Sequence, residues 1–267
     1  MATTKIVSFS NQKGGVGKST MCLQTAYELA IHEKKKVLVI DMDAQGNTSS
    51  RLAPRVQDEH GSWYPVYSGT RAVHLFQADL QDIEVMPCPS GVDLIHTLKN
   101  DPELFEKEAV PLDEAFNPRV NLMNFLERNH YDYVLIDCPP SLGRKLVAAL
   151  NMSTHVVAPV KLSGFAIDGL EGLLNTIINI QGSFNPDLKI TGIIINDMVN
   201  SKSHTKALTL IRQMVPDLVF ENIVMNRAPI DTATSDGVPL WELQYGHVAA
   251  KEIKAVIHEL IARVNAQ

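Results

Sequence analysis

The 267-residue sequence carries 24 Lys and Arg against 30 Asp and Glu, a net charge of −6, with 45% hydrophobic and 20% charged residues. That is the balance of an ordinary globular chain with a sizeable core, and the acidic excess argues against a wholesale basic nucleic-acid surface, leaving room only for a local patch. No apolar run reaches membrane-spanning length, and Cys22, Cys88 and Cys138 stand too far apart for a disulfide framework or a zinc spacing, which excludes those classes and points to a reducing, cytoplasmic setting.

The chain passes from Met1-Ala2-Thr3-Thr4 straight into a strand, so the expectation is that no signal peptide and no separate N-terminal DNA-reading domain precede it. Lys5-Ile6-Val7-Ser8-Phe9 is a short apolar strand. It runs through Asn11-Gln12-Lys13 into Gly14-Gly15-Val16-Gly17-Lys18-Ser19-Thr20 and then an amphipathic helix with Cys22, Ala26, Leu29 and Ala30 on one side. Glycines let successive N–H groups converge on one anion, and the positive end of the helix lies behind it. Lys18 can reach the β and γ phosphates of a nucleotide, Ser19 can hold Mg²⁺, and Thr20 falls near the α-phosphate. The usual phosphate-loop pattern has a glycine where Gln12 stands. Lys13 adds a second cation at the mouth of the loop, unfavourable unless a polyphosphate or a second subunit uses it.

Lys36 to Ile40 is a buried-strand run ending in Asp41-Met42-Asp43. Carboxylates two apart on extended chain point to the same side, at the strand end where open α/β sheets bind ligands, and can orient Mg²⁺ or an attacking water. From Arg51 to Gly69 the periodicity fails among Pro54, Gly61, Pro65 and Gly69, a surface excursion carrying Trp63, Tyr64 and Tyr67. Ile83–Met86 and Val92–Ile95 read as short strands, and 119–129 as a helix turning Leu122, Phe125 and Leu126 inward. Tyr133 to Ile136 is another buried strand, ending in Asp137, a position from which an acid reaches Mg²⁺ through water. Pro139 and Pro140 then stiffen the segment to Gly143.

Two more buried strands, from His155 and from Lys189 to Asn196, flank a helix with Ile167, Leu170, Leu174, Ile177 and Ile178 on one stripe. Strands alternating with helices predict a doubly wound, mostly parallel sheet flanked by helices, one domain over residues 1–267. Asn196, at a strand end, can offer its amide to an adenine edge. Lys202, Lys206 and Arg212 form a basic stretch that suits phosphate contact or a solvated helix face equally, and Arg227 and Lys251 are similar. The last helix, 248–264, carries a packing stripe of Ile253, Val256, Ile257, Leu260, Ile261 and Val264. Its polar positions mix Glu252 and Glu259 with Lys251, Lys254 and Arg263, without aromatics, which disfavours a membrane anchor.

Lys13-Gly14-Gly15-Val16-Gly17-Lys18-Ser19 with Asn11-Gln12 upstream, Asp41 to Asn47 and Asp137-Cys138-Pro139-Pro140 together resemble the ParA/MinD class of deviant P-loop ATPases, most closely the ParA-type partition ATPases. The likeness is sharpest over residues 5–52 and 131–172. It implies the P-loop NTPase fold, ATP with Mg²⁺, and an ATP-dependent homodimer in which Lys13 touches the partner's nucleotide. It further implies that Asp43 positions the hydrolytic water, that Asp137 lies in the metal's outer shell, and that Asn196, Pro229 and Asp231 approach the base. Non-specific DNA bound through the basic residues, hydrolysis that is slow until a ParB-type centromere-binding protein supplies an arginine, and a nucleoid-associated location complete what the resemblance implies. A MinD-like membrane positioner and a dethiobiotin-synthetase-like ligase share the motif and stand as alternatives.

Overall fold

The computed structural model describes residues 3–162 and 166–267, and for residues 166–168 the backbone alone. Its centre is a seven-stranded sheet. β1 (Lys5–Phe9) leads through α1 (Lys18–Tyr27) and a π-helical turn, Glu28–His32, to β2 (Val37–Asp41). α2 (Asn47–Leu52) follows, then a separate antiparallel pair, β3 (Arg55–Gln57) and β4 (Trp63–Pro65), which forms the excursion. Next come β5 (Met86–Pro87), β6 (Asp93–Ile95), α3 (Pro102–Glu106), α4 (Asn117–Arg128) and β7 (Tyr133–Asp137). α5 (Arg144–Met152), β8 (His155–Lys161), α6 (Ala166–Ser183) and β9 (Lys189–Asn196) complete the sheet and its cover. α7 (Lys202–Met214), α8 (Ala228–Asp236) and α9 (His247–Ala266) close the chain.

The strand order is β5-β6-β2-β7-β1-β8-β9, parallel throughout except at the β5 edge. Parallel strands covered on both faces must be apolar on both faces, and β2 and β7 are buried at every residue. Alternate residues serve different layers. Ile6, Leu38, Ile40, Val134 and Ile136 face α4, α5 and α6, whereas Val7, Phe9, Val37, Val39 and Leu135 face α1 and α9. From β1 the chain crosses β7 to reach β2, and from β7 it crosses β1 to reach β8. The strand order therefore reverses at β1, and a cleft opens at the carboxyl end of that strand.

Several elements depart from the sequence expectation. Ile83–Val85 lies outside the sheet because the backbone of Glu84 is taken up by Thr70, whose N–H donates to the Glu84 carbonyl and whose hydroxyl accepts the Glu84 N–H. On α6 the inward stripe is Leu170, Leu173, Ile177 and Ile180, and Ile178 is 52% exposed, because the 3-4-3 spacing turns that face away from it. Ile167's side chain lies outside the described residues. α4 begins two residues earlier than expected, with Pro118 in its first turn where a missing N–H costs nothing. α9 buries its stripe as expected, with Ile261 at the margin.

Candidate active site

The loop after β1 is pinned before it turns. Asn11 is buried, its Nδ2 donating to the Pro159 carbonyl at 2.7 Å and its Oδ1 accepting the Lys13 N–H at 3.0 Å, so the loop starts from β8 as well as β1. Gly15 and Gly17 hold φ of 69° and 97°, left-handed values that L side chains avoid. A Cβ on Gly17 would lie 2.2 Å from Nδ2 of Asn196, which itself donates to the Val16 carbonyl at 2.9 Å. Lys18 is buried and its Nζ donates to the Lys13 carbonyl at 3.1 Å, curling back under the loop. The Thr20 hydroxyl accepts from Thr234 on α8 at 3.2 Å, tying the start of α1 to the far side of the cleft.

Opposite the loop stand three carboxylates with different surroundings. Asp137, at the end of β7, is fully buried; Thr48 donates to its Oδ2 at 2.6 Å, and its Oδ1 has no hydrogen-bond partner. Burial pushes its carboxyl up to about 6, against the pull of the Ser19 and Thr48 hydroxyls and the Lys18 charge. An orphaned buried carboxylate oxygen beside a serine hydroxyl at a phosphate loop is a donor set that fits Mg²⁺, a hard cation bound through few protein oxygens and retained waters. Asp43 is half-buried and lines the cleft, its Oδ1 accepting the Gln45 N–H at 3.0 Å. Asp41 does not share that direction. The chain leaves the sheet at Asp41, which turns its carboxylate into the protein onto Ser49 and is held well above the usual carboxylate range by burial and the neighbouring Asp137.

The cleft, about 490 Å³, brings Gly14, Gly15, Gly17, Lys18, Ser19 and Thr20 together with Asp43, Asn196 and Asp231. Val16 stays buried behind the loop, and Pro229 lies in the first turn of α8 beside the lining residues Ile230 and Asp231. Asn196's amide nitrogen is spent on the loop, a structural duty that a base-reading role does not include. Other lining residues carry no site expectation from sequence, among them Gln45, Asn47, Lys161 and Asp197. Asp197 holds φ of 56°, pairs with Lys161 and accepts from Asn226, joining the end of β8 to the strand-to-α8 loop. Its only sequence signal is an acid directly after a strand-end asparagine.

The AAA domain family matches residues 4–190. Soj, the sporulation initiation inhibitor protein of Bacillus subtilis, is 32% identical over 88% of this chain and 90% of its own length. The chromosome partitioning protein ParA of Myxococcus xanthus is 33% identical over 88% of this chain and 80% of its own. The chain belongs to the ParA/Soj family. In fold, this ParA-family chain matches the ATP complex of Cyanothece McdA with a TM-score of 0.79, covering 97% of each chain at 21% identity.

Among the basic candidates on this ParA-family chain, Lys202, Lys206, Arg212 and Lys251 are exposed, the first three along α7. Lys202 and Lys206 share an open face with Ser201, Thr205 and Thr209. Arg227 is elsewhere: its guanidinium pairs with Glu252 of α9 at 2.6 Å and lines the nucleotide-sized cleft. Lys13 lies with its aliphatic stem against α6, where a Cβ on Gly169 would sit 3.1 Å from Cε. Among the described residues, no helix is long and apolar enough to cross a membrane.

Proposed function

We propose that this chain is an ATP-dependent dimerising switch ATPase for plasmid or chromosome partition. The observation that carries the reading is the juxtaposition, in one cleft, of a glycine cradle with Lys18, Ser19 and Asp43, while Asp137, buried at the end of the neighbouring strand β7, keeps an Oδ1 without a hydrogen-bond partner. The Myxococcus xanthus relative is a chromosome partitioning protein by name, which favours DNA cargo over a ligase or a membrane positioner.

In this reading Gly14 to Gly17 and Lys18 cradle the phosphates, and Thr20 lies near the α-phosphate. Ser19 would hold Mg²⁺ and Asp137 would lie in its outer shell, and the ion would supply charge neutralisation at the phosphates. Asp43 orients the water for in-line attack, and Lys13 reaches the partner's nucleotide across a homodimer. Pro229 and Asp231 form the base end, to which Asn196 offers its Oδ1 while its Nδ2 holds the Val16 carbonyl. Positioning and electrostatics carry such a reaction, so turnover is slow until a ParB-type partner adds a cation. The ATP-bound dimer holds non-specific DNA through Lys202, Lys206, Arg212 and Lys251, placing the protein on the nucleoid in the cytoplasm.

The test is binding to random-sequence duplex DNA with ATP, ADP or no nucleotide across a salt series. Binding that needs ATP and weakens steeply with salt is expected. No binding in any nucleotide state, with ATP-driven dimerisation intact, refutes the DNA half of the proposal.

A further inference from the structure

The loop that carries Asp43 is held from behind by groups that never reach the cleft. Asp41 is fully buried at the end of β2. Its Oδ1 accepts the Asp43 N–H at 3.2 Å, and its Oδ2 accepts both the N–H and the hydroxyl of Ser49, at 2.8 and 2.7 Å. Ser49 Oγ in turn accepts the Thr97 N–H at 2.8 Å, and the Thr97 hydroxyl donates to the Asp41 carbonyl at 2.5 Å. Ser49 and Thr97 are buried as well. The ring of bonds closes on itself across β2, the start of α2 and the residues after β6.

We infer that Asp41, Ser49 and Thr97 form a buried positioning knot that holds the Asp43 carboxylate in its hydrolytic place without touching nucleotide. The inference rests on reading Asp43 as the residue that orients the attacking water.

Three features point to this use over simple packing. First, α2 is preceded by Gly46 at φ 63°, which has no side chain to cap the helix. The Asp41 carboxylate supplies the acceptor that a capping residue would, from a position upstream of the loop, and thereby fixes both ends of the Asp43 loop. Secondly, the loop is fastened internally: the Gly46 N–H donates to the Asp43 carbonyl at 2.9 Å, and the Gln45 N–H to Asp43 Oδ1. Gly46 packs against the residues after β6, a Cβ there standing 2.6 Å from the Leu98 carbonyl oxygen, so the loop end lies close against the segment that carries Thr97. Thirdly, the first turn of α2 takes hold of two carboxylates at once, Asp41 through Ser49 and Asp137 through Thr48. A shift of α2 therefore moves Asp43 and the Asp137 oxygens together. Burying a carboxylate is costly, and an isosteric amide cannot replace it, because its NH₂ would face an N–H on one side or the other.

The test uses the full-length protein and ATP as the probe. Single-turnover phosphate release and the affinity for a fluorescent ATP analogue are measured for Asp43→Ala, Asp41→Asn, Thr97→Val and Thr97→Ser. Thr97→Val keeps the shape and removes the hydroxyl, whereas Thr97→Ser keeps the hydroxyl. Asp41→Asn and Thr97→Val are expected to slow release by ~10-fold or more with affinity within about twofold of the parent, and Thr97→Ser to restore the rate. Release that stays within about twofold of the parent in Thr97→Val, or a Thr97→Ser variant as slow as Thr97→Val, overturns the inference, as does a loss of affinity matching the loss of rate. If Asp41→Asn does not fold, the Thr97 pair decides alone. Asp43→Ala separates the two levels: if it hydrolyses ATP at the parent's rate, the reading of Asp43 fails. If Asp43→Ala is inactive while Thr97→Val is not slowed, only the knot fails.

Discussion

Gly17→Ala tests the cradle at its tightest point. Gly17 sits at φ 97°, and a Cβ there would lie 2.2 Å from Asn196 Nδ2 and 3.1 Å from its Cγ. The left-handed backbone costs a residue with a Cβ about 1–2 kcal/mol. Expelling Asn196 also breaks its 2.9 Å bond to the Val16 carbonyl, and a buried polar group left unpaired costs about 1–3 kcal/mol. The loop escapes both costs by relaxing in the nucleotide-free protein and must meet them again when it closes on phosphate. The sum, about 2–5 kcal/mol, is therefore expected in affinity rather than in the melting of the free protein, a loss of about 30-fold to a few thousand-fold. Titration of a fluorescent ATP analogue gives the first quantity and a thermal melt without nucleotide the second. Because the clash works by ejecting Asn196, Asn196→Ala should cost affinity in the parent and nothing further in the Gly17→Ala background. A Gly17→Ala protein that binds within about threefold of the parent, or strictly additive losses in the double variant, refutes the reasoning.

The remaining expectations concern the buried acid and the basic face. Asp137 titrates at about 6 in the folded chain against an ordinary 3.8, so its contribution to stability is fully present below about 4 and lost as pH rises through 6. Asp137→Asn should therefore stabilise the nucleotide-free protein at pH 7.5 relative to pH 4.5, measured as the difference from the parent in denaturant midpoint; an equal difference at both pH values contradicts it. Mg²⁺ favours the ionised carboxylate, so its stabilising effect should grow over the same interval in the parent and vanish in the variant. Lys202→Ala with Lys206→Ala should weaken DNA binding and reduce the salt slope by roughly two, about one per phosphate contact. Arg227→Ala, whose guanidinium lines the cleft beside Glu252, should weaken nucleotide binding first; a defect in DNA binding with nucleotide affinity intact would return Arg227 to the basic face.

The phosphate loop was legible in sequence because its chemistry is local: three glycines, Lys18 and Ser19 act within one turn of where they stand. The sheet was legible because strands covered on both faces need unbroken apolar runs, and the runs ending in Asp41 and Asp137 pair side by side in register. The alternation of extended chain points Asp41 and Asp43 one way, and nothing in the residues marks that the strand ends at the first of them. The second wall was hidden for a different reason. Lys161, Asp197 and Asn226 meet only after β8, β9 and the loop before α8 are assembled, and no spacing along the chain encodes that contact. The same holds for Thr97, a residue without a motif, whose hydroxyl matters because β6 lies beside β2.

The resting place of Lys13 gives a sharper handle on the proposed switch than deleting the lysine does. α6 presents Gly169 and Gly172 to the P-loop, with Cβ positions 3.1 Å from Lys13 Cε and 3.4 Å from Gln12 Nε2. Glycine inside a helix costs about 1 kcal/mol relative to alanine, so this bed is maintained against the helix's own preference. To reach a partner's nucleotide, Lys13 must leave it, and among what it surrenders are the dispersion contacts of its stem, on the order of 1 kcal/mol. Gly169→Leu fills the bed and raises helix propensity together. If the bed competes with the cross-dimer position, the variant should dimerise with ATP about fivefold more tightly, since the lysine no longer gives up a site to do so. Sedimentation of the ATP-bound protein over a concentration series measures it, with Lys13→Ala as the variant that binds ATP and stays monomeric. A Gly169→Leu protein that dimerises as weakly as Lys13→Ala would mean that α6 supports the lysine's productive position instead of holding it back.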